Sequence, residues 1–370
     1  IFDAIAFALY GEASGDLHGS NLIRALKEKD PAAECRCWGG DLMQAAGGKL
    51  VKHYRDLSFM GFVEVLANLR TIFRNIDFCK KDISAYRPDC IIFIDYPGFN
   101  LRIAQWAKEA GYKTVYYISP QVWAWKENRV KSIRQHIDKM LVILPFEKLF
   151  YDKWDYAVDY VGHPLVEVID RFKAEHDALQ PDPTLIALLP GSRQQEILVK
   201  LPVMLSVTPF FPNHRFVVAR APGQPDEFYA PMLANYPNVG AASNSTYELL
   251  MQSRAALVTS GTATLETALF GIPEVVCYKG SAISYQIAKR LIKVKFISLV
   301  NLIMDRLVVK ELIQNDLNTA NIKKELEQLL ADGPYRSRIL EDYRALKTEL
   351  QKGGAASSQA AAIIVAFLRA

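Results

Sequence analysis

Short apolar runs alternate along the chain with longer stretches of helical period, and this alternation is the main structural signal. Residues 5–9, 90–94, 114–118, 139–143, 185–189, 215–219, 255–259 and 274–277 are brief runs rich in Val, Ile, Leu and aromatic side chains. Several are apolar throughout, which suits parallel strands covered on both faces. Helical patterns at 22–29, 103–110, 202–210 and 264–270 lie between them. Strand–helix–strand order repeated in this way predicts an α/β fold with doubly wound parallel sheets. Residues 172–184 break the rhythm, with Pro181 and Pro183 in a polar setting and no apolar period. They predict a linker between an N-terminal Rossmann-like domain, 1–171, and a C-terminal one, 185–336. The cleft between the two is the default ligand site. Residues 337–370 are expected to be helical and to pack back on the first domain.

Composition narrows the class. A chain of 370 residues fits two domains. Its 44 basic and 40 acidic residues leave +4, too balanced a charge for a protein that coats nucleic acid. Half of the residues are hydrophobic, which excludes disorder as the main state. No stretch approaches the ~20 apolar residues of a membrane-spanning helix. The start, Ile1-Phe2-Asp3, has no basic region followed by an apolar run, so no signal peptide is expected. Five scattered cysteines without C-x-x-C spacing are expected to be free thiols, with no metal site.

The candidate chemistry lies in loops that follow strands. After 5–9 comes Gly11-Glu12-Ala13-Ser14-Gly15-Asp16, and Gly11, Gly15 and Gly19 are four apart rather than G-x-G-x-x-G. Glu12 and Asp16 would repel a pyrophosphate at that helix N-terminus. The loop suits a hydroxyl-bearing ligand that needs an acceptor or a base, or these carboxylates cap a helix. Asp95 follows 90–94, where topology aims it at the cleft, with Pro97 and Gly98 fixing a turn. A turn or capping aspartate is the alternative. Trp123 and Trp125 are either a sugar platform or a core plug.

The second half carries a different pattern. Pro190-Gly191-Ser192-Arg193 leaves a strand and Glu196 opens a helix, so backbone N–H groups, the helix dipole and Arg193 favour an anion. Ser260-Gly261-Thr262 repeats the design, and Glu266 stands one turn into its helix, at a height to accept hydrogen bonds from both ribose hydroxyls. Acidic loops in one half and phosphate-binding loops in the other fit a two-domain glycosyltransferase that takes a nucleotide sugar in its second domain. No D-x-D occurs, so the leaving-group charge falls to Arg193 and helix N-termini instead of a metal. Phe62, Val65, Leu66, Leu69, Ile72 and Phe73 recur at helical spacing, flanked by Arg70 and Arg74. Such a stripe lies on an anionic membrane or faces a core.

The ordered set GEASGD (11–16), MGFVEVL (60–66), 95–100, SPQVWAW (119–125), LPFEKLFY (144–151), GHP (162–164), LLPGSR (188–193), SGTATLE (260–266) and 301–314 spans nearly the whole chain. It resembles the lipid-A-disaccharide synthase family of GT-B glycosyltransferases. The resemblance implies a metal-free, cofactor-free, inverting transfer. It would move 2,3-diacylglucosamine from UDP to the 6-hydroxyl of 2,3-diacylglucosamine 1-phosphate (lipid X), giving the β-1,6-linked disaccharide 1-phosphate and UDP. It implies Asp95 or Glu12 as general base, with Asp16 also lining the acceptor side. Ser192, Arg193, Ser260, Gly261, Thr262 and Glu266 would hold UDP, and Asn301 and Gln314 would reach the sugar or pyrophosphate across the cleft.

Acylated substrates assign the stripe from Phe62 to Phe73 to acyl and membrane contact, at the cytoplasmic face of the inner membrane. A homodimer with exchanged C-terminal segments is implied as well. Two positions depart from the family pattern. Gly98 stands where some members carry a carboxylate, which favours Asp95 as the base, and Leu307 stands where a Glu is expected. Another GT-B enzyme that uses UDP-N-acetylglucosamine explains the second half equally, but not the acidic first loop joined to the apolar stripe. A non-catalytic nucleotide-binding module is the other alternative, and it would bind UDP without turnover.

Overall fold

The computed structural model describes residues 6–9, 13–56, 69–222, 224–280 and 294–370, with the side chains of all of them except 6–9, 13, 14, 56, 69 and 125. Two compact units emerge. The first comprises residues up to Pro164 together with Leu350–Ala370, and the second is Leu165–Glu349.

The first unit is built on seven parallel strands: β1 (Ala6–Leu9), β2 (Cys35–Gly39), β3 (Lys49–His53), β4 (Cys90–Ile94), β5 (Lys113–Tyr117), β6 (Lys139–Val142) and β7 (Asp159–Tyr160). Their order is β3-β2-β1-β4-β5-β6-β7, so the sheet grows one way from β1 and then the other from β4. The second unit has six, also parallel: β8 (Leu185–Leu189), β9 (Arg215–Arg220), β10 (Val239–Ser243), β11 (Ala255–Thr259), β12 (Glu274–Tyr278) and β13 (Lys310–Ile313). Their order, β10-β9-β8-β11-β12-β13, repeats the plan, with the reversal between β8 and β11. A reversal leaves the two crossover helices on opposite faces and opens a crevice at the carboxyl ends of the strands.

Among the predicted strands, β4, β8 and β11 are buried at every position. The pattern missed β2, β3, β7, β10 and β13. All but β2 lie toward sheet edges, where fewer faces are covered and charged or small residues are tolerated, as in Lys-Leu-Val-Lys-His and Val-Gly-Ala-Ala-Ser. The helix expected at 202–210 runs instead over Gln194–Leu205.

The expected linker is also corrected. The helix Pro164–Glu175 runs into it, and Phe172 packs edge-on against Tyr247 and Phe270, 5.2 and 6.1 Å between centroids. Those contacts tie 172–175 to the second unit, so the chain changes units at Pro164 and Leu165. It returns within the helix Pro334–Gln351.

The closing helix, Ala356–Arg369, packs on the first unit of its own chain. Ala360, Ala361 and Ile364 join Leu22, Ile23 and Leu26 of the helix Ala13–Lys29 over one face of the sheet. Its approach depends on glycine. Gly162 (φ 86°) lies so close to Gly353 and Gly354 that a Cβ there would strike backbone atoms.

Glu274 opens β12 and is 1% exposed, and neither carboxylate oxygen has a hydrogen-bond partner among the described residues. Burial holds its carboxyl well above the ordinary range, so the folded state keeps the proton. The unfolded chain releases that proton in the ordinary carboxylate range. The stability it carries is therefore full below that range and is lost as pH rises toward the folded value. Urea unfolding at several pH values between about 5 and 8 should show wild-type stability falling, with Glu274→Gln flattening the slope. Equal slopes in the two proteins would show that Glu274 does not carry the effect.

Candidate active site

A cavity of about 430 Å³ opens at the reversal point of the second sheet, against the carboxyl ends of β8, β9 and β11. Ser192, Arg193, Ser260, Gly261, Thr262 and Glu266 all line it. Two turns shape its mouth. Gly191 (φ 120°) follows β8 and Gly261 (φ 141°) caps the helix Thr262–Phe270 after β11. Both lie in backbone territory that favours glycine. The first-turn amides of a helix have no intrahelical acceptor, so two helix N-termini offer N–H groups to one anion. At Gly191 there is a steric demand as well, because a Cβ would sit 2.6 Å from Oε2 of Glu196.

The charges round this mouth are graded by burial. Arg193 is 67% exposed and 3.6 Å from Glu196. Lys200, 4% exposed and outside the cavity lining, donates to the Thr259 hydroxyl and lies 3.9 Å from Glu196. Burial lowers the Lys200 pKa, and Glu196 opposes that shift. Arg220, at the end of β9, pairs with Asp226, while its buried Nε has no partner among the described residues. On the opposite wall the Tyr247 hydroxyl donates to Oε1 of Glu266 (2.8 Å), and burial raises the Glu266 pKa. Lys200, Arg220 and Tyr247 are absent from the sequence reading. Arg220 had a signal, a cation at the end of an apolar run. Lys200 had only its four-residue spacing from Glu196.

Asn301 and Gln314 do not line this cavity. Asn301 is fully buried, with Oδ1 accepting from the Val308 and Val309 amides (2.8 and 3.0 Å). Its Nδ2 donates to Val309 O and Glu311 Oε1, both at 2.9 Å. All its hydrogen-bonding capacity is spent holding the turn into β13, which corrects the expectation that it reaches a ligand. Gln314 stands just beyond β13 in left-handed backbone (φ 54°), and its buried Nε2 has no partner among the described residues.

In the first unit, Asp95 follows β4 at that sheet's own reversal point. Asp95 and Tyr96 have φ of 44° and 46°, a strained pair at a strand end. The Asp95 carbonyl is fixed by Asn100 Nδ2 (2.8 Å) and by the Tyr116 hydroxyl. Gly98 is exposed, and a Cβ there would meet nothing within 4 Å.

Asp16 is buried, and its carboxylate accepts from the amides of Gly40 (2.8 Å), Leu42 and Met43 (both 3.0 Å). It caps the helix Asp41–Ala45 from outside, whereas the capping alternative places it at the start of the helix Ala13–Lys29, in whose first turn it lies. Glu12 lies outside the described residues. Trp123 is a core plug, donating to Glu147 Oε1 (3.2 Å) and edge-on to Phe146. Burial raises the Glu147 pKa to about 7. Of the apolar stripe, Phe62, Val65, Leu66 and the Leu69 side chain fall outside the description. In the helix Leu69–Tyr86, Ile72 packs on the core and Phe73 is 55% exposed beneath the Arg102 guanidinium. No helix among the described residues is long and apolar enough to cross a membrane.

A family model described as lipid-A-disaccharide synthetase matches residues 6–365. The chain belongs to the lipid-A-disaccharide synthase family. It is accordingly a glycosyltransferase of lipid A biosynthesis. The lipid-A-disaccharide synthase of Syntrophus aciditrophicus is 38% identical over 95% of this chain and 94% of its own length. That of Geobacter metallireducens is 37% identical over 97% and 96%. Among solved structures, UDP-GlcNAc 2-epimerase from Neisseria meningitidis bound to UDP-GlcNAc superposes with a TM-score of 0.66 at 13% identity, covering 99% of both chains. The glycosyltransferase of kitacinnamycin gives 0.66 at 14% over 98% of both. These neighbours share the GT-B fold with the lipid-A-disaccharide synthase family member described here.

Removing the Asp16 carboxylate leaves three amides without their acceptor. Asp16→Ala should cost about 1–3 kcal/mol in urea unfolding, and an unchanged midpoint would refute its capping role.

Proposed function

We propose that this enzyme transfers 2,3-diacylglucosamine from UDP to the 6-hydroxyl of 2,3-diacylglucosamine 1-phosphate, with inversion and without a metal. One observation carries the reading: two glycine turns at the reversal point of the second sheet present helix N-termini, Arg193 and Arg220 to a single cavity. That constellation suits a diphosphate leaving group. Glu266, oriented by Tyr247, keeps Oε2 for ribose hydroxyls. In this reading the developing charge is met by backbone amides and cations.

Asp95 takes the proton from the acceptor hydroxyl as its oxygen bonds to the anomeric carbon. The bond from that carbon to the UDP oxygen breaks on the opposite face, which inverts the configuration. The strained turn at Asp95 supports this assignment, since such backbone concentrates at working sites. Acylated substrates place the protein on the cytoplasmic face of the inner membrane. The exposed Phe73 and Phe78, with Arg70, Arg74 and Lys81 beside them, supply an apolar and cationic surface there.

Mass spectrometry of a reaction containing both acylated substrates should show UDP and the disaccharide, at a rate unchanged by EDTA. Asp95→Asn should lower kcat by about 10²–10⁴-fold while UDP binding is kept. Arg193→Ala should chiefly weaken UDP binding. Full activity in Asp95→Asn would remove Asp95 from the mechanism. Phe73→Ser with Phe78→Ser should reduce binding to anionic vesicles, and unchanged partitioning would refute the membrane surface.

A further inference from the structure

We propose that the second unit holds a separate site for a phosphate monoanion or dianion, either inorganic phosphate or a phosphomonoester. It is a cavity of about 260 Å³ in which Lys173, Arg344 and Lys347 converge beside Tyr343 and Gly271. The site lies at the C-terminal end of the helix Thr262–Phe270, whose N-terminal residues line the nucleotide cavity. Seven residues separate Thr262 from Leu269, about 10 Å along the helix axis. The two cavities share no lining residue.

The charges do not cancel. Lys347 Nζ sits 2.6 Å from Asp170, and Lys173 Nζ donates to the Leu269 carbonyl at 2.7 Å. Arg344 has no ion-pair or hydrogen-bond partner for its guanidinium among the described residues. Three cations thus face one carboxylate and the helix C-terminus, which is worth about half a negative charge. More than one positive charge remains. Burial lowers the Lys173 pKa first, and the neighbouring Lys347 lowers it further, a repulsion that a bound anion would relieve.

Size and geometry set the ligand class. The volume is below the ~300 Å³ at which drug-sized pockets begin, so a nucleoside diphosphate does not fit and a phosphate with a small substituent does. An Arg fork takes two oxygens while two ammonium groups meet the others. Lys173 and Asp170 belong to the helix Pro164–Glu175, and Arg344 and Lys347 to the helix Pro334–Gln351. These are the helices by which the chain enters and leaves the second unit, and a bound phosphate would join them.

The experiment is calorimetric titration of the full chain with inorganic phosphate while saturating UDP fills the nucleotide cavity. One saturable site is expected. Arg344→Gln with Lys347→Gln should weaken it by at least about tenfold and leave UDP affinity unchanged. Arg344→Gln alone, at an exposed position, should act in the same direction if the double variant folds poorly. Asp170→Asn should tighten phosphate binding by freeing Lys347. Glycerol 3-phosphate and phosphatidylcholine vesicles containing phosphatidic acid distinguish a soluble ligand from a lipid headgroup. Variant-sensitive binding in either arm supports the site. No saturable binding in any arm, binding that UDP abolishes, or binding that neither variant alters would overturn it.

Discussion

The cavity of the second unit depends on two glycines, which hold backbone conformations that other residues rarely adopt. Gly191 and Gly261, at φ 120° and 141°, turn the chain off neighbouring strands so that two helices start at one cavity. Parallel strands fix the direction of both helices, and the reversal between β8 and β11 fixes their adjacency. Arg193 and Glu266 line one cavity only because of this arrangement. A Cβ at Gly191 would press on Glu196, which ties the turn to the Arg193–Glu196–Lys200 row of charges.

Hydrogen-bond accounting separates scaffold from chemistry. Asp16 spends itself on three backbone amides, and Asn301 on two amides, a carbonyl and the Glu311 carboxylate. Groups so committed hold loops in place. Lys200 and Glu266 lean on hydroxyls instead, those of Thr259 and Tyr247, and Glu196 also lies 3.9 Å from the Lys200 ammonium. A hydroxyl satisfies a donor or an acceptor without cancelling charge, so Glu266, which lines the cavity, is oriented without an ion pair among the described residues.

The sequence made the fold class and the loops that line the second unit's cavity legible for a physical reason. Strands buried on both faces read as unbroken apolar runs, and anion-binding turns need Gly, Ser and Thr at fixed offsets from them. Six of the eight residues expected to hold the nucleotide sugar line one cavity. Edge strands such as Val239–Ser243 lack that signature because one side is open. Asn301 misled because a motif position does not say whether a polar side chain faces a ligand or a loop. Lys200 and Tyr247 were invisible because their role depends on burial and on partners distant in sequence. The unit boundary was hidden for the same reason: Phe172 contacts Phe270, about a hundred residues on. The link between Gly162 and Gly353-Gly354 likewise exists only in three dimensions.

Backbone amide shifts recorded while UDP is titrated into the full chain test the glycine-turn site most directly. The largest changes are expected at Ser192, Arg193, Gly261, Thr262 and Ala263, the amides that two helix starts bring to one cavity. Those amides remaining still, with the shifts gathering instead beyond the carboxyl ends of β4 and β5, would contradict the placement of the diphosphate.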